Sequence, residues 1–86
     1  MAGYRLVFRR SVAKDLRQVP KAGVARILAC ARSLEETPRP HGSERLSGQE
    51  RYRIRQGSWR ILYEISEDER VVTVVRVGHR REIYRR

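Results

Sequence analysis

Lysine, cysteine and long apolar runs are what this chain has least of. Only Lys14 and Lys21 of its 20 basic residues are lysines. The single cysteine, Cys30, excludes an intramolecular disulfide and any zinc site built on cysteines. No apolar run approaches the roughly 20 residues that span a bilayer. Arg5, Arg9 and Arg10 break up the N-terminal stretch, so no export signal is expected either, and the chain reads as soluble and cytoplasmic. His41 and His79 are the only histidines and no acid stands at helical ligand spacing from them, so no metal is expected. No glycine-rich stretch has the spacing of a phosphate-binding loop, and no motif marks a nucleophilic serine. There are no repeats, low-complexity tracts or linkers.

What is present is positive charge. Against 20 basic residues stand 10 acids, a formal net charge of +10. A charge of that size predicts an acidic partner: nucleic acid, an anionic membrane or an acidic protein. Arginine outnumbers lysine, and its planar fork binds phosphate with two parallel hydrogen bonds where lysine cannot. Nucleotide bias in a coding genome would also favour arginine. At 86 residues the chain is expected to form one domain, residues 1–86, with a modest core.

Taken in order, Tyr4 to Phe8 alternates with Tyr4, Leu6 and Phe8 on one side, a short strand. Ser11 is a plausible N-cap for a helix whose stripe is Val12, Leu16 and Val19. Val19-Pro20 ends it, and Pro20 can open the next helix. Residues 21–36 form that helix, with Val24, Ile27, Leu28, Ala31 and Leu34 on one face and Cys30 on its flank as a small filler. Gly23 weakens its first turn. Thr37-Pro38 stops the helix, and residues 37–50 are irregular, with Leu46 as an anchor under the sheet. Residues 66–69 are a polar turn, and Val71 to Val77 is a strand rich in β-branched residues. A basic tail, HRREIYRR, follows Gly78.

The stretch Tyr52 to Ile65, YRIRQGSWRILYEI, alternates, pauses at Gln56-Gly57 and alternates again, the pattern of a β-hairpin. A two-residue turn at Gln56-Gly57 pairs Ile54 with Trp59, Arg53 with Arg60 and Tyr52 with Ile61. One face then carries Tyr52, Ile54, Trp59, Ile61, Tyr63 and Ile65, and the other Arg53, Arg55, Arg60 and Leu62. The Arg53–Arg60 pair opposes like charges, unfavourable by a few tenths to about 1 kcal/mol. Residues 51–60 contain no acid to relieve it. Two readings fit: an arriving anion satisfies the arginines, or the face is simply a solvated basic strand.

The element order predicts a two-layer α+β fold, β-α-α-β-β-β, with a helical hairpin on one face of a mainly antiparallel four-stranded sheet. The helices take the Tyr52–Ile65 apolar face, which places Trp59 and Tyr63 in the core. The arginine face stays uncovered. If Val75 and Val77 join the core, Val72, Val74 and Arg76 point with Leu62 to the open side. That makes an apolar floor rimmed by arginine, which the tail or a partner is expected to cover. The arginine cluster, with Arg80, Arg81, His79 and Tyr84 from the tail, suits a phosphodiester and the extra charge of its pentacovalent transition state. With RNA as substrate, the 2′-hydroxyl itself can be the nucleophile. A tyrosine or histidine can also stack on an unstacked base.

YRIRQGSWRILYEI, then VVTVVRVGHRREIYRR, together with the upstream Leu46-Ser47-Gly48, resembles the RelE branch of the RelE/ParE toxin superfamily, and the match in element order runs from Tyr4 to Tyr84. The resemblance implies a type II toxin, a metal-independent endoribonuclease that enters the ribosomal A site and cuts mRNA. The 2′-hydroxyl attacks the adjacent phosphate and leaves a 2′,3′-cyclic phosphate. It implies catalytic roles for Arg60, which clamps the scissile phosphate, for Arg80, a phosphate contact or proton donor, and for Tyr84, which orients the substrate. Arg53 and Arg55 stand where the best-studied branch has lysines, one of them assigned as the base. Guanidinium cannot take that role, so Arg53, Arg55 and Arg81 are expected to bind phosphate and RNA. His79, or Tyr84 with a lowered pKa, is then the candidate base, against a bland reading of His79 as a strand-end residue facing water. His41 is expected to be solvated, and Arg81, Arg85 and Arg86 to touch RNA backbone without base specificity. The resemblance further implies an acidic, RelB-like antitoxin as partner, with operator DNA bound only through the complex, and no cofactor. The alternatives are a ParE-like inhibitor of DNA gyrase and a non-cleaving RNA- or ribosome-binding module.

Overall fold

A computed structural model describes residues 3–46 and 50–81. Strand β1 (Arg5–Phe8) leads into helices α1 (Ser11–Leu16) and α2 (Lys21–Ser33), then strands β2 (Glu44–Arg45), β3 (Arg51–Gln56), β4 (Trp59–Ser66) and β5 (Val71–His79). The sheet has five strands in the order β1-β5-β4-β3-β2. Only β1–β5 is parallel, as expected where a helical pair separates the chain's first strand from its partner. The α+β class and its two layers agree with the sequence. The fifth strand, β2, is new: Glu44 and Arg45 pair with Arg53 and Tyr52 inside the segment read as irregular. Two residues are too few to show periodicity.

The helices differ from expectation at their ends. Ser11 is the first residue of α1, not its cap, and Arg10 holds the cap position without a side-chain hydrogen bond. Pro20, with ψ at 149°, caps α2 from outside. Helix α2 ends at Ser33, whose hydroxyl donates to the Cys30 carbonyl at 2.6 Å, and tighter turns carry the chain to Glu36. Gly23 permits a close approach: a Cβ there would lie 2.8 Å from Val19 Cγ1.

The hairpin turns at Gly57-Ser58, one residue later than expected. Gly57 has φ +61°, the left-handed value that a two-residue hairpin loop needs and glycine accepts. Gln56 therefore faces Trp59, Arg55 faces Arg60, Ile54 faces Ile61, Arg53 faces Leu62 and Tyr52 faces Tyr63. Arg53 is thus not opposite Arg60. The faces survive the error, because moving the turn by one residue changes each pairing by two positions, a full period of the pleat.

On β5 the alternation breaks. Leu62 pairs with Arg76 but Tyr63 pairs with Val74, so Val75 is an extra, bulged residue. The bulge puts Val72 and Val74 in the helix-side core with Val77, and Val75 on the opposite face with Leu62. That reverses the expected sides of Val72, Val74 and Val75. The core also holds Val12, Ile27, Ala31, Leu34, Ile61 and Tyr63. Tyr63 stacks on Tyr52 at 5.7 Å, and its hydroxyl donates to the Pro38 carbonyl at 2.7 Å. Burial pushes that hydroxyl up to about 12. Tyr4 and Leu6 pack on the core, but Phe8 remains 38% exposed beside α1. Beyond the end of β1, the backbone N–H of Val77 donates to Asp15 of α1 at 3.0 Å, which satisfies part of an otherwise open strand edge.

Candidate nucleic-acid interface

Strand register arranges the face away from the helices in rows. Arg55, Arg60 and Gly78 lie side by side across β3, β4 and β5. The next row is Glu44, Arg53, Leu62 and Arg76, and the next Arg51, Glu64, Thr73 and Val7. Acids reach two of these rows. Arg51 Nη2 lies 2.7 Å from Glu64, which Arg9 also approaches at 3.8 Å. Arg53 pairs with Glu44 across the ladder. Among the described residues no carboxylate pairs with Arg55 or Arg60, the two arginines set directly opposite each other. Arg60 instead folds back on the hairpin turn, its Nη1 donating to the carbonyls of Gly57 and Trp59, each at 3.2 Å. Gly78 beside it contributes no side chain to the row.

The sheet brings Arg53, Arg55 and Arg60 onto one face and returns Arg80 to the turn, where its N–H donates to the Ser58 carbonyl at 2.9 Å. Arg80 and Arg81 are exposed. His79 does not join them. It pairs with Trp59 on the helix side, ring edge to face at 5.5 Å. Its Nδ1 accepts the N–H of Arg81 at 3.2 Å. Tyr84, Arg85 and Arg86 lie outside the described residues, as do Ser47 and Gly48. His41 is exposed but lines a cleft of about 370 Å³ with Gly42, Ser43, Glu44, Ile54 and Arg55. Burial pushes the Cys30 thiol up, keeping it protonated against the core as a filler.

The expected apolar floor is largely absent. With Val72 and Val74 in the core, the centre of the arginine face keeps Leu62 and Val75, at 7% and 6% exposure under Leu46, with Val7 and Val71 at its far end. Leu46 is the anchor the sequence suggested. At the far edge of the helix side, Arg39 lies 2.6 Å from Glu67, which also accepts the Tyr4 hydroxyl at 2.7 Å. The Tyr4 and Arg39 hydrogen bonds hold the Glu67 carboxyl below its ordinary value.

A family profile described as "ParE toxin of type II toxin-antitoxin system, parDE" matches residues 6–84. The chain belongs to this family. It is also 31% identical over 87 residues to Toxin RelG of Mycobacterium tuberculosis (strain ATCC 25618 / H37Rv), covering 96% of this chain and 98% of that protein. The crystal structure of an archaeal RelE–RelB complex from Pyrococcus horikoshii OT3 superposes with a TM-score of 0.82 at 28% identity, covering 93% of this chain and 98% of that one. A mutant of the E. coli toxin RelE in the free state gives 0.76 at 26% identity, over 92% and 84%.

This RelE/ParE-type toxin therefore has the fold that its sequence resemblance implied. Among the described residues no helix is long and apolar enough to cross a membrane. One side chain at the arginine face escaped the sequence reading. Glu44 reaches the rows only because β2 pairs with β3, and no residue pattern announces a two-residue strand. The bare signal was an acid two residues before the anchor Leu46.

Proposed function

We propose that this type II toxin is a ribosome-dependent endoribonuclease that cleaves mRNA in the A site. The observation that carries the reading is the opposed Arg55–Arg60 pair, on a face that no helix covers among the described residues. Folding leaves these like charges adjacent, at a cost of a few tenths to about 1 kcal/mol. A phosphate between them converts that repulsion into two charge-assisted contacts. Arg60 clamps the scissile phosphate, and Arg53 and Arg55 hold the flanking oxygens. Arg80, tied to the hairpin turn, and Tyr84 complete the catalytic set, and Arg81 contacts RNA backbone. The attacking group is the 2′-hydroxyl of the RNA, which leaves a 2′,3′-cyclic phosphate and needs no metal. Residues 1–86 act as one toxin domain in the cytoplasm, where ribosomes are.

An acidic RelB-like antitoxin neutralises the toxin by supplying carboxylates to the same arginines. Several related toxins are known in complex with RelB antitoxins. Operator DNA is bound through that complex. The ParE description of the family keeps a second reading in view, inhibition of DNA gyrase. Mapping mRNA ends by primer extension in a translating extract tests the proposal. Codon-periodic cuts that disappear with Arg60→Ala and weaken with Tyr84→Phe support it. Gyrase-linked DNA breaks with intact mRNA favour the second reading, and translation arrest without cuts, equal in both variants, favours a binding module.

A further inference from the structure

The hairpin tip has a second side. Neighbouring residues of a strand point to opposite faces, so Trp59 lies on the helix side while Arg60 joins the arginine row. Tyr63 is fully buried there, but Trp59 is only half-buried at the rim of the core. Its indole stands perpendicular to the His79 ring at 5.5 Å, which braces it. Among the described residues its N–H finds no hydrogen-bond acceptor, and its nitrogen is not shut away from solvent.

A pocket of about 320 Å³ lies between α2 and the tip, lined by Gly23, Arg26, Gln56, Gly57, Ser58 and Trp59. That volume falls within the range of about 300–1,000 Å³ usual for small-molecule sites. The glycines keep it open. A Cβ on Gly23 would stand 3.7 Å from the indole nitrogen, and Gly57 has no side chain to fill the space. No carboxylate is in the lining. The carbonyls of the turn are engaged elsewhere, Gly57 with Arg60 Nη1 and Ser58 with the N–H of Arg80. Arg26 is exposed. The lining therefore offers donors, the indole N–H and the Arg26 guanidinium, beside the Gln56 amide and the Ser58 hydroxyl, which donate or accept.

A bare phosphate would leave the indole and the glycine walls unused. A base uses both, since unpaired RNA bases are held against aromatic side chains and hydrogen-bonded along their edges. Only purines present N7, the acceptor that arginine takes together with guanine O6 and that glutamine takes beside adenine N6. We infer that this pocket is a subsite for an unpaired purine base of RNA, held against Trp59 and read at N7 by Arg26 or Gln56. It lies across the sheet from the Arg55–Arg60 row. Its base comes from the substrate strand passing round the hairpin tip or from ribosomal RNA. The inference shares an RNA partner with the endoribonuclease reading and does not need cleavage.

Trp59 is the only tryptophan of the chain, so its fluorescence reports on this pocket alone. The full chain is titrated with a short single-stranded pyrimidine RNA and with the same RNA carrying one central purine. The purine RNA should change the emission and half-saturate at a concentration about 5- to 150-fold lower. The 7-deaza analogue keeps the purine ring and loses N7, and should abolish that preference. Arg26→Lys keeps the charge and loses the planar fork, and should reduce the preference for guanine. Gln56→Leu should reduce the preference for adenine. Equal half-saturation for purine and pyrimidine RNA overturns the inference. So does a 7-deaza RNA that binds like its parent, or RNA binding seen by anisotropy with Trp59 emission unchanged. Ribosomes then separate the two sources. Weaker binding of Arg26→Lys or Gln56→Leu to ribosomes without mRNA assigns the base to ribosomal RNA. Weaker binding to programmed ribosomes alone assigns it to mRNA, and unchanged binding of both variants to both overturns the subsite. Codon-periodic cutting without a purine preference sinks this inference alone. A purine preference in a protein that never cuts sinks the endoribonuclease reading and leaves the subsite standing.

Discussion

The two faces of the β3–β4 hairpin come from the same strands, one residue apart, and were solved by opposite means. On the helix side Ile61 is fully buried and Tyr63 spends its one hydroxyl on the Pro38 carbonyl. That hydroxyl is satisfied within the chain. On the other side Arg60, the next residue along, faces Arg55 and finds only backbone carbonyls among the described residues. The first face is stable because it is complete, and the second is available to a ligand because it is not. The contrast separates residues that hold the fold from residues that wait for an anion.

The largest expected effect lies on the complete face. Ile61→Ala should cost about 2–5 kcal/mol in urea unfolding and lower activity only through the folded fraction. Arg60→Ala should do the reverse. Stability should stay within about 0.5 kcal/mol, and mRNA cleavage should fall by about 10²–10³-fold. An Arg60→Ala variant that lost stability along with activity would break the division between the faces.

Tyr63→Phe sharpens it. At neutral pH the variant should lose about 1 kcal/mol with the hydrogen bond to Pro38. Burial holds the neutral phenol up to about 12, so the fold favours the protonated form. That contribution is complete below the free tyrosine value of about 10 and is lost as pH rises from there to about 12. The wild type should therefore lose an increment of stability over that window that Tyr63→Phe does not, measured as denaturation midpoints against pH.

The smallest effect has an informative sign. Arg55→Gln relieves the like-charge pair and should raise stability by a few tenths to about 1 kcal/mol. The same change should weaken binding to a short RNA and flatten its salt dependence, read by fluorescence anisotropy. A stabilised variant that bound RNA as tightly as the wild type would show that the repulsion serves no ligand.

Face membership in the hairpin was legible from residues alone. Tyr52, Ile54, Ile61, Tyr63 and Ile65 are buried together although the turn falls one residue later than the alternation suggested. Parity tolerates that error. Parity failed on β5, where Val71, Val72, Val74, Val75 and Val77 put apolar residues on both faces and only Thr73 and Arg76, three residues apart, flank the bulge. With apolar residues on both sides, the hydrophobic pattern cannot report a one-residue insertion. The arginines of the site were readable because charge is a property of residue type. Glu44 was not, since its role depends on which strand lies beside Arg53.

The sequence by itself determined the two layers, the buried side of the hairpin and the excess of arginine facing away from it. These follow from local periodicity and composition. The tertiary structure alone decided which arginines lie opposite each other, that Arg51 and Arg53 receive acids, and that His79 turns toward Trp59 instead of the arginine row. It also brought Glu44 beside Arg53. Each of these is a contact between segments, set by register, a bulge and a two-residue edge strand. Cross-strand pairing is a matter of which backbones meet, and no single stretch of residues encodes it.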